Sequence, residues 1–141
     1  MKAEVFLDAA YAIALSVPKD IYHERAISLA DEMEALKTRM VTTRAVLLEI
    51  GNALSKQRYR RAAVSLLQSL EADPNVKIIP LSEGLYAQAV HLYGERPDKE
   101  WGLTDCISFV VMQDRKIIEA LTPDDHFQQA GFQALLLEGS K

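Results

Sequence analysis

Short apolar runs alternate with longer amphipathic stretches along the chain, and this alternation most constrains the fold. The first run, over 5–7, is followed by helically spaced apolar residues over 9–15 and 21–37. A run too short for a helix, followed by a helical crossover, is typical of parallel strands that are covered on both faces. The sequence therefore predicts an α/β fold with a parallel sheet.

The same pattern continues to the C-terminus and predicts the element order βααβααβαβ(α)β. The further strands are predicted at 40–42, 76–79, 118–121 and 134–137. The further helices are predicted at 45–54, at 60–70, from an N-cap at Ser82 to Tyr93, and from an N-cap at Thr104 to Gln113. Residues 94–101 contain Gly and Pro among polar residues and are predicted to form a loop.

Length and charge limit the class of protein. A chain of 141 residues is expected to form one domain, residues 1–141. The net charge of −4 excludes a polycationic nucleic-acid binder, so any contact with nucleic acid needs a local patch. The single cysteine, Cys106, cannot form an internal disulfide, and no apolar run reaches the length of a membrane span. We expect a soluble, cytoplasmic protein without membrane contact.

Certain acidic residues occupy informative positions. Asp8 ends the first predicted strand and Asp124 follows the fourth, so neighbouring strands would place both in one crevice at the carboxyl edge of the sheet. Asp105 lies at a predicted helix start that opens towards the same edge. Glu49 lies within an apolar stretch, where a carboxylate is seldom buried without a partner. Each acid also has a purely structural interpretation, as a cap, a turn residue or a solvated side chain.

Converging carboxylates point to a cation. Two unit charges 4 Å apart repel by about 4 kcal/mol at an effective dielectric of about 20. Oxygen ligands without a nearby His or Cys favour Mg²⁺ or Mn²⁺ over zinc. Such ions commonly assist phosphoryl chemistry by polarising the phosphate and lowering the pKa of water.

Several segments occur in an order and spacing that resemble a known family. They are 5–8, 49–54, 98–109, 120–127 and 130–132. In these segments the chain resembles the PIN domain nucleases, and most closely the VapC-type toxins of VapBC toxin–antitoxin systems. The resemblance covers essentially the whole chain. It implies a three-layer α/β/α sandwich with a four- or five-stranded, mainly parallel sheet.

The resemblance also implies a metal-dependent endoribonuclease, the toxin of a type II toxin–antitoxin pair. The residues that match the family's metal-binding acids are Asp8, Glu49, Asp105 and Asp124. Residues at matching supporting positions are Asp98, an additional acid, and Thr104 and Thr122, whose hydroxyls orient the acids. Asp125 is the alternative to Asp124 as the fourth acid. By the same resemblance we expect an RNA substrate, Mg²⁺ or Mn²⁺ as cofactor, a small antitoxin partner and a homodimer.

A dense basic stretch is a candidate RNA contact. Its cationic members are Lys56, Arg58, Arg60 and Arg61, with Tyr59 among them as a stacking surface. Arg44, five residues before Glu49, is a second candidate. The alternative interpretation of the basic stretch is a solvated helix start.

Two other functions stay open at the level of sequence. Ala9 and Ala10 follow Asp8, where many relatives carry hydroxyl or amide side chains, so a catalytically weak or inactive PIN-like binding module is one alternative. A phosphoacceptor of the receiver type is the other, although Asp8 has no adjacent acid. His126 is near Asp124 and could reach substrate, but a surface turn residue is the favoured interpretation. Trp101 is expected to pack the loop onto the domain.

Overall fold

A five-stranded sheet forms the centre of the protein, described over residues 1–137 by a computed structural model. The strands are β1 (Glu4–Leu7), β2 (Arg39–Thr43), β3 (Val76–Ile79), β4 (Glu119–Leu121) and β5 (Gln133–Ala134). Their order is β3-β2-β1-β4-β5, and every neighbouring pair is parallel. The predicted α/β fold with a parallel sheet is confirmed.

Helices connect these strands. They are α1 (Ala9–Ser16), α2 (His23–Leu36), α3 (Arg44–Ala53), α4 (Gln57–Ala72), α5 (Glu83–Glu95), α6 (Leu103–Arg115) and α7 (Asp125–Gln129). In residues 1–137, none of them is both long enough and apolar enough to cross a membrane.

The central strand shows that the sheet is covered on both faces. Val5, Phe6 and Leu7 are all buried, although successive side chains of a strand point to opposite faces. Helices must therefore pack on each side, which produces the three layers of an α/β/α sandwich.

The order in which the chain adds parallel strands to the sheet changes direction at β1. From β1 the chain builds outward through β2 and β3, and it then returns to place β4 on the other side of β1. A crevice opens at such a switch point, outside the carboxyl ends of the strands. Leu7 pairs with Leu121, so Asp8 and Thr122 leave the two strands side by side. The expectation that the first and fourth strands are neighbours is confirmed.

An aromatic cluster lies behind this edge. The Phe109 ring, on α6, packs edge-on against Trp101 and Phe127, with ring centroids 5.0 Å apart in each pair. The cluster joins α6, α7 and the loop before α6, and Trp101 packs that loop onto the domain as expected. Edge-to-face pairs of this kind add to the stabilisation from area burial.

The predicted start of α6 is wrong by two positions. Gly102, not Thr104, is the N-cap, and the helix begins at Leu103. The Asp105 side chain explains the shift, because its Oδ2 accepts a hydrogen bond from the Gly102 backbone N–H at 3.1 Å. A carboxylate at the third helical position thus satisfies a backbone donor that the N-cap leaves free.

The last strand is also shorter than predicted. Only Gln133–Ala134 pair as β5, and residues 135–137 form a turn rather than the rest of a strand over 134–137. The apolar run is still buried at Leu135 and Leu136, so its hydrophobicity reflects packing in the core rather than strand length.

Candidate active site

Asp8 is the buried member of the acidic cluster. Its side chain is held by Thr122, whose Oγ1 donates a hydrogen bond to Oδ2 of Asp8 at 2.7 Å. Burial raises the pKa of Asp8 to about 6, against the opposing hydrogen bonds from Thr122 and the Ala9 backbone. The negative charges of Asp105 and Asp124 add to the rise, so three carboxylates share one electrostatic environment.

Asp105 and Asp124 meet at a histidine. The Nδ1 atom of His126 lies 3.1 Å from Oδ2 of Asp105 and 3.4 Å from Oδ1 of Asp124. One ligand atom from each of the three residues lies within 4.8 Å of the other two, which makes them a candidate metal site. Asp124 is oriented by the start of α7, since its Oδ1 accepts a hydrogen bond from the His126 backbone N–H at 2.9 Å.

Glu49 reaches the same cluster from α3. The Thr43 side chain caps this helix by accepting a hydrogen bond from the Val46 backbone N–H at 3.1 Å. Although Glu49 keeps much of its surface exposed, partial burial raises its pKa to about 7, with help from the charges of Asp8, Asp105 and Asp124. The structure thus brings together all four acids that the family pattern selects.

Within the described residues, the negative charge of the acidic cluster is not balanced by Lys or Arg side chains. Within residues 1–137, no Lys or Arg side chain forms an ion pair with any of the four acids. Burial is also the first cause of the raised pKa of Asp105, which the Gly102 N–H and His126 partly oppose. A divalent cation would relieve this repulsion, and the carboxylate oxygens suit a hard ion.

Thr122 connects two of the acids. Its Oγ1 donates to Asp8 and also accepts the backbone N–H of Asp124 at 3.1 Å. The hydroxyl expected to orient the acids is therefore in contact with both.

The other supporting residues have different surroundings. Asp98 forms a two-pronged ion pair with Arg96, at 3.0 Å for each N–O contact, on an exposed loop. Thr104 lies in the first turn of α6, where its backbone carbonyl accepts from Ser108 Oγ at 3.1 Å. Asp125 is exposed at the start of α7, whereas Asp124 lies beside Asp105. The geometry therefore favours Asp124 over Asp125 as the fourth acid.

Arg44 is the first residue of α3, whereas the other basic residues lie at the start of α4, and some of them form contacts within the protein. Arg44 pairs with Glu71, and Arg60 donates to the Ser55 carbonyl oxygen, at 2.7 Å from Nη2. The Arg58 guanidinium lies 4.9 Å from the centroid of the Tyr59 ring. Lys56 and Arg61 are exposed.

His126 belongs to the site, although the sequence analysis favoured a surface turn residue. It was expected in a surface turn, but its ring faces Asp105 and Asp124. Partial burial would lower the pKa of His126, yet the hydrogen bond to Asp105 and the nearby carboxylates raise it overall. Its place two residues after Asp124 was the indication that it could take part in the site.

Comparisons with known proteins identify the family of the chain. The family model of the PIN domain matches residues 5–133. The structure is similar to that of Mycobacterium tuberculosis VapC20, described as a toxin that cleaves the sarcin–ricin loop, with a TM-score of 0.79 and 26% sequence identity. That match covers 91% of this chain and 95% of VapC20. No curated protein sequence matches the chain. The matched region includes all four acids and all five strands except the first residue of β1 and the last residue of β5. Because the family model matches most of the chain, the chain belongs to the PIN domain family.

Proposed function

We propose that this protein is a metal-dependent endoribonuclease that hydrolyses phosphodiester bonds of RNA, as the toxin of a type II toxin–antitoxin pair. The observation that carries the proposal is the convergence of Asp8, Glu49, Asp105 and Asp124 at the switch point of the sheet. The similarity to a toxin described as cleaving the sarcin–ricin loop supports RNA as the substrate class.

The four acids would hold one or two divalent ions, Mg²⁺ or Mn²⁺. The raised pKa values of Asp8, Glu49 and Asp105 fit a site that needs a cation. So does the absence of a Lys or Arg ion partner for the four acids within the described chain. An ion bound there supplies Lewis-acid chemistry, since it polarises the phosphate and lowers the pKa of a water.

The residues of the chain have separate tasks in this mechanism. Thr122 keeps the Asp8 carboxylate in place, and the Gly102 N–H does the same for Asp105. Glu49 is the most exposed of the acids, so its carboxylate can reach a water that approaches with the RNA. A nearby cation lowers a carboxyl pKa, which would leave Glu49 ionised at neutral pH and able to accept the proton of the attacking water.

The direct test is cleavage of RNA by the wild type and by Asp8→Asn. A labelled hairpin with the sarcin–ricin loop sequence and total cellular RNA are incubated with each protein, with Mg²⁺, with Mn²⁺ or with a chelator. We expect Asp8→Asn to stay folded and to lose at least about 100-fold in rate, because removal of a preorganised charge at the reacting centre typically costs about that much. Asp31→Asn, on the exposed surface of α2, is the matched control. Equal cleavage by Asp8→Asn would sink the proposal.

A catalytically inactive binding module is the alternative. It is motivated by Ala9 and Ala10, which offer no polar side chain next to Asp8. Thr122, which directly follows the neighbouring strand β4, donates a hydrogen bond from its hydroxyl to Asp8, and this contact favours the nuclease. Tight RNA binding without cleavage under any divalent metal would support the binding module instead.

A small antitoxin is the partner that this function requires. Since the acids lack a Lys or Arg ion partner within residues 1–137, an Arg from an inserted helix or arm would neutralise them and block the RNA. Purification from the native host tests this point. We expect a small basic or DNA-binding protein to co-purify with the chain, and its removal should restore nuclease activity.

A homodimer is also part of the proposal. Helix α5 exposes Tyr86, Val90 and Tyr93, which lie on one face because they are spaced four and three residues apart. A second copy of the chain would cover this apolar face. Val90→Glu is expected to shift the mass in solution from dimer to monomer, and a wild-type monomer at all concentrations would contradict the dimer.

A further inference from the structure

We propose that His126 is a direct ligand of the metal at this centre and that its nitrogen makes the site prefer Mn²⁺ to Mg²⁺. The inference rests on the proposed function, because it concerns the ion that the acids would hold. It adds a residue outside the set of four acids and assigns that residue a role in metal selection.

The spacing of the donor atoms fits ligands that share one metal ion. Ligand atoms that lie about 2.1 Å from a common ion and at right angles to each other are about 3 Å apart. Nδ1 of His126 lies 3.1 Å from Oδ2 of Asp105 and 3.4 Å from Oδ1 of Asp124. The nitrogen therefore stands at a ligand-to-ligand distance from two carboxylate oxygens at once.

Contacts on both sides of His126 in the chain hold its backbone in place. The residue is the second of α7, directly after the exposed Asp125, and its own backbone N–H binds Asp124. The next residue, Phe127, is fully buried in the aromatic cluster behind the site. The backbone beneath His126 is thus fixed from both sides, and its ring has a defined place beside the acids.

Oxygen and imidazole nitrogen ligands differ in the metals that they bind. Mg²⁺ is bound by oxygen and retains its waters, whereas imidazole nitrogen suits transition metals. A centre made of carboxylates alone discriminates little between Mg²⁺ and Mn²⁺, because both ions accept oxygen ligands. One imidazole among the ligands adds affinity for Mn²⁺ without adding comparable affinity for Mg²⁺.

The other interpretation of the same contacts is a simple ion pair. In that case a protonated His126 would balance Asp105 and Asp124 and would compete with the metal. The two interpretations predict opposite results when the ring is removed. If His126 is a ligand, removal of its ring weakens Mn²⁺ binding. If His126 is a competing cation, removal of its ring strengthens the binding of either metal.

The experiment measures metal binding, with no RNA present. Mn²⁺ and Mg²⁺ are each titrated by calorimetry into metal-free wild type, His126→Ala, His91→Ala and Asp105→Asn. His91 is the matched control, because it also pairs with a carboxylate, Glu95, but on the exposed surface of α5. The Mn²⁺-loaded proteins are then examined by pulsed electron paramagnetic resonance for coupling to a nitrogen nucleus.

We expect His126→Ala to lose at least about tenfold in affinity for Mn²⁺ and to change by less than about threefold for Mg²⁺. The wild type and His91→Ala should show nitrogen coupling, which should vanish in His126→Ala. Absence of nitrogen coupling in the wild type, equal losses for both metals, or tighter binding by His126→Ala would each overturn the inference.

Asp105→Asn separates this inference from the proposed function. If the wild type binds Mn²⁺ and Asp105→Asn does not, while His126→Ala binds as the wild type does, only the assignment of His126 fails. If the wild type binds neither metal, the metal centre itself fails, and the proposed function fails with it.

Discussion

Asp8 and Thr122 directly follow the neighbouring strands β1 and β4 and are joined by a 2.7 Å hydrogen bond from the hydroxyl to the carboxylate. Both side chains are buried, and the same hydroxyl accepts the backbone N–H of Asp124. Thr122 is therefore the physical connection between the acid after β1 and the acid after β4. It also supplies the polar contact that Ala9 and Ala10 do not offer to Asp8.

Replacement of Thr122 by Val should weaken metal binding without changing the fold. The substitution keeps the shape of the side chain but removes both hydrogen bonds, and loss of such an orienting partner typically costs about 10–100-fold in metal affinity. Thr42→Val is the matched control, because the equally buried Thr42 hydroxyl donates to the Leu7 carbonyl oxygen at 2.8 Å. Calorimetric titration with Mn²⁺ measures the effect. Similar affinities for Thr122→Val and Thr42→Val would contradict the role of Thr122.

The stability of Thr122→Val should also depend on pH. The lost hydrogen bond stabilises the ionised form of Asp8, whose pKa is about 6 in the folded protein. The free energy of unfolding should therefore fall by more at pH 8, where Asp8 is ionised, than at pH 5, with a loss of about 1–3 kcal/mol at the higher pH. Thr42→Val should show the same loss at both values, as measured by urea unfolding in the presence of a chelator.

Removal of the Asp8 charge should stabilise the metal-free protein at neutral and higher pH. The folded-state pKa of Asp8, about 6, lies above its ordinary value of 3.8, so the folded state binds more protons than the unfolded state between these values. The contribution of Asp8 to stability is therefore fully present below about pH 4 and is lost as the pH rises through about 6.

Asp8→Asn should thus be more stable than the wild type at pH 8, by about 1–3 kcal/mol, and similar to it at pH 4. Urea unfolding with a chelator at the two pH values measures the difference, and Asp31→Asn serves as a surface control. Added Mn²⁺ should reverse the order at pH 8, since the ion stabilises only the protein that binds it. A variant that is less stable than the wild type at pH 8 without metal would argue against a strained charge at Asp8.

Part of the site could be predicted because strand ends in a parallel sheet share one edge. Asp8 and Asp124 follow short apolar runs, so their convergence required only that the two strands be neighbours. Glu49 was recognisable as a carboxylate in an apolar stretch. These predictions depend on hydrophobic patterning and topology, which are properties of whole segments.

The features that the sequence did not reveal depend on single side-chain contacts. Thr104 is a better N-cap by residue type than Gly102, but the Asp105 carboxylate selects Gly102 by binding its N–H. His126 reaches Asp105 across 21 positions of sequence, because the short helix α7 turns its ring back towards the acids. No periodicity or spacing encodes a contact of that kind.

Trp101 should report metal binding through its fluorescence. It is the single tryptophan of the chain, it is buried, and its Nε1–H donates to Gln129 Oε1 at 3.1 Å. Gly102, the next residue, binds the Asp105 carboxylate, so an ion that moves this carboxylate also changes the surroundings of the indole. We expect Mn²⁺ to alter the emission of the wild type and to leave that of Asp105→Asn nearly unchanged.

Gln129→Leu should lower the free energy of unfolding by about 1–3 kcal/mol, because it leaves the buried Nε1–H of Trp101 without its partner. Urea unfolding measures this loss.

The exposed basic residues at the start of α4 should contribute to RNA affinity through charge. Lys56 and Arg61 are exposed, whereas Arg44 already pairs with Glu71. Each phosphate contact to single-stranded RNA adds about 0.7 to the slope of log affinity against log salt. Lys56→Ala and Arg61→Ala, made in the inactive Asp8→Asn background, should therefore weaken binding at low salt and reduce this slope. Arg39→Ala is the control, because Arg39 begins β2 and lies at the amino edge of the sheet, away from the acids. An unchanged slope in both basic variants would assign this stretch to solvation of the helix start rather than to RNA.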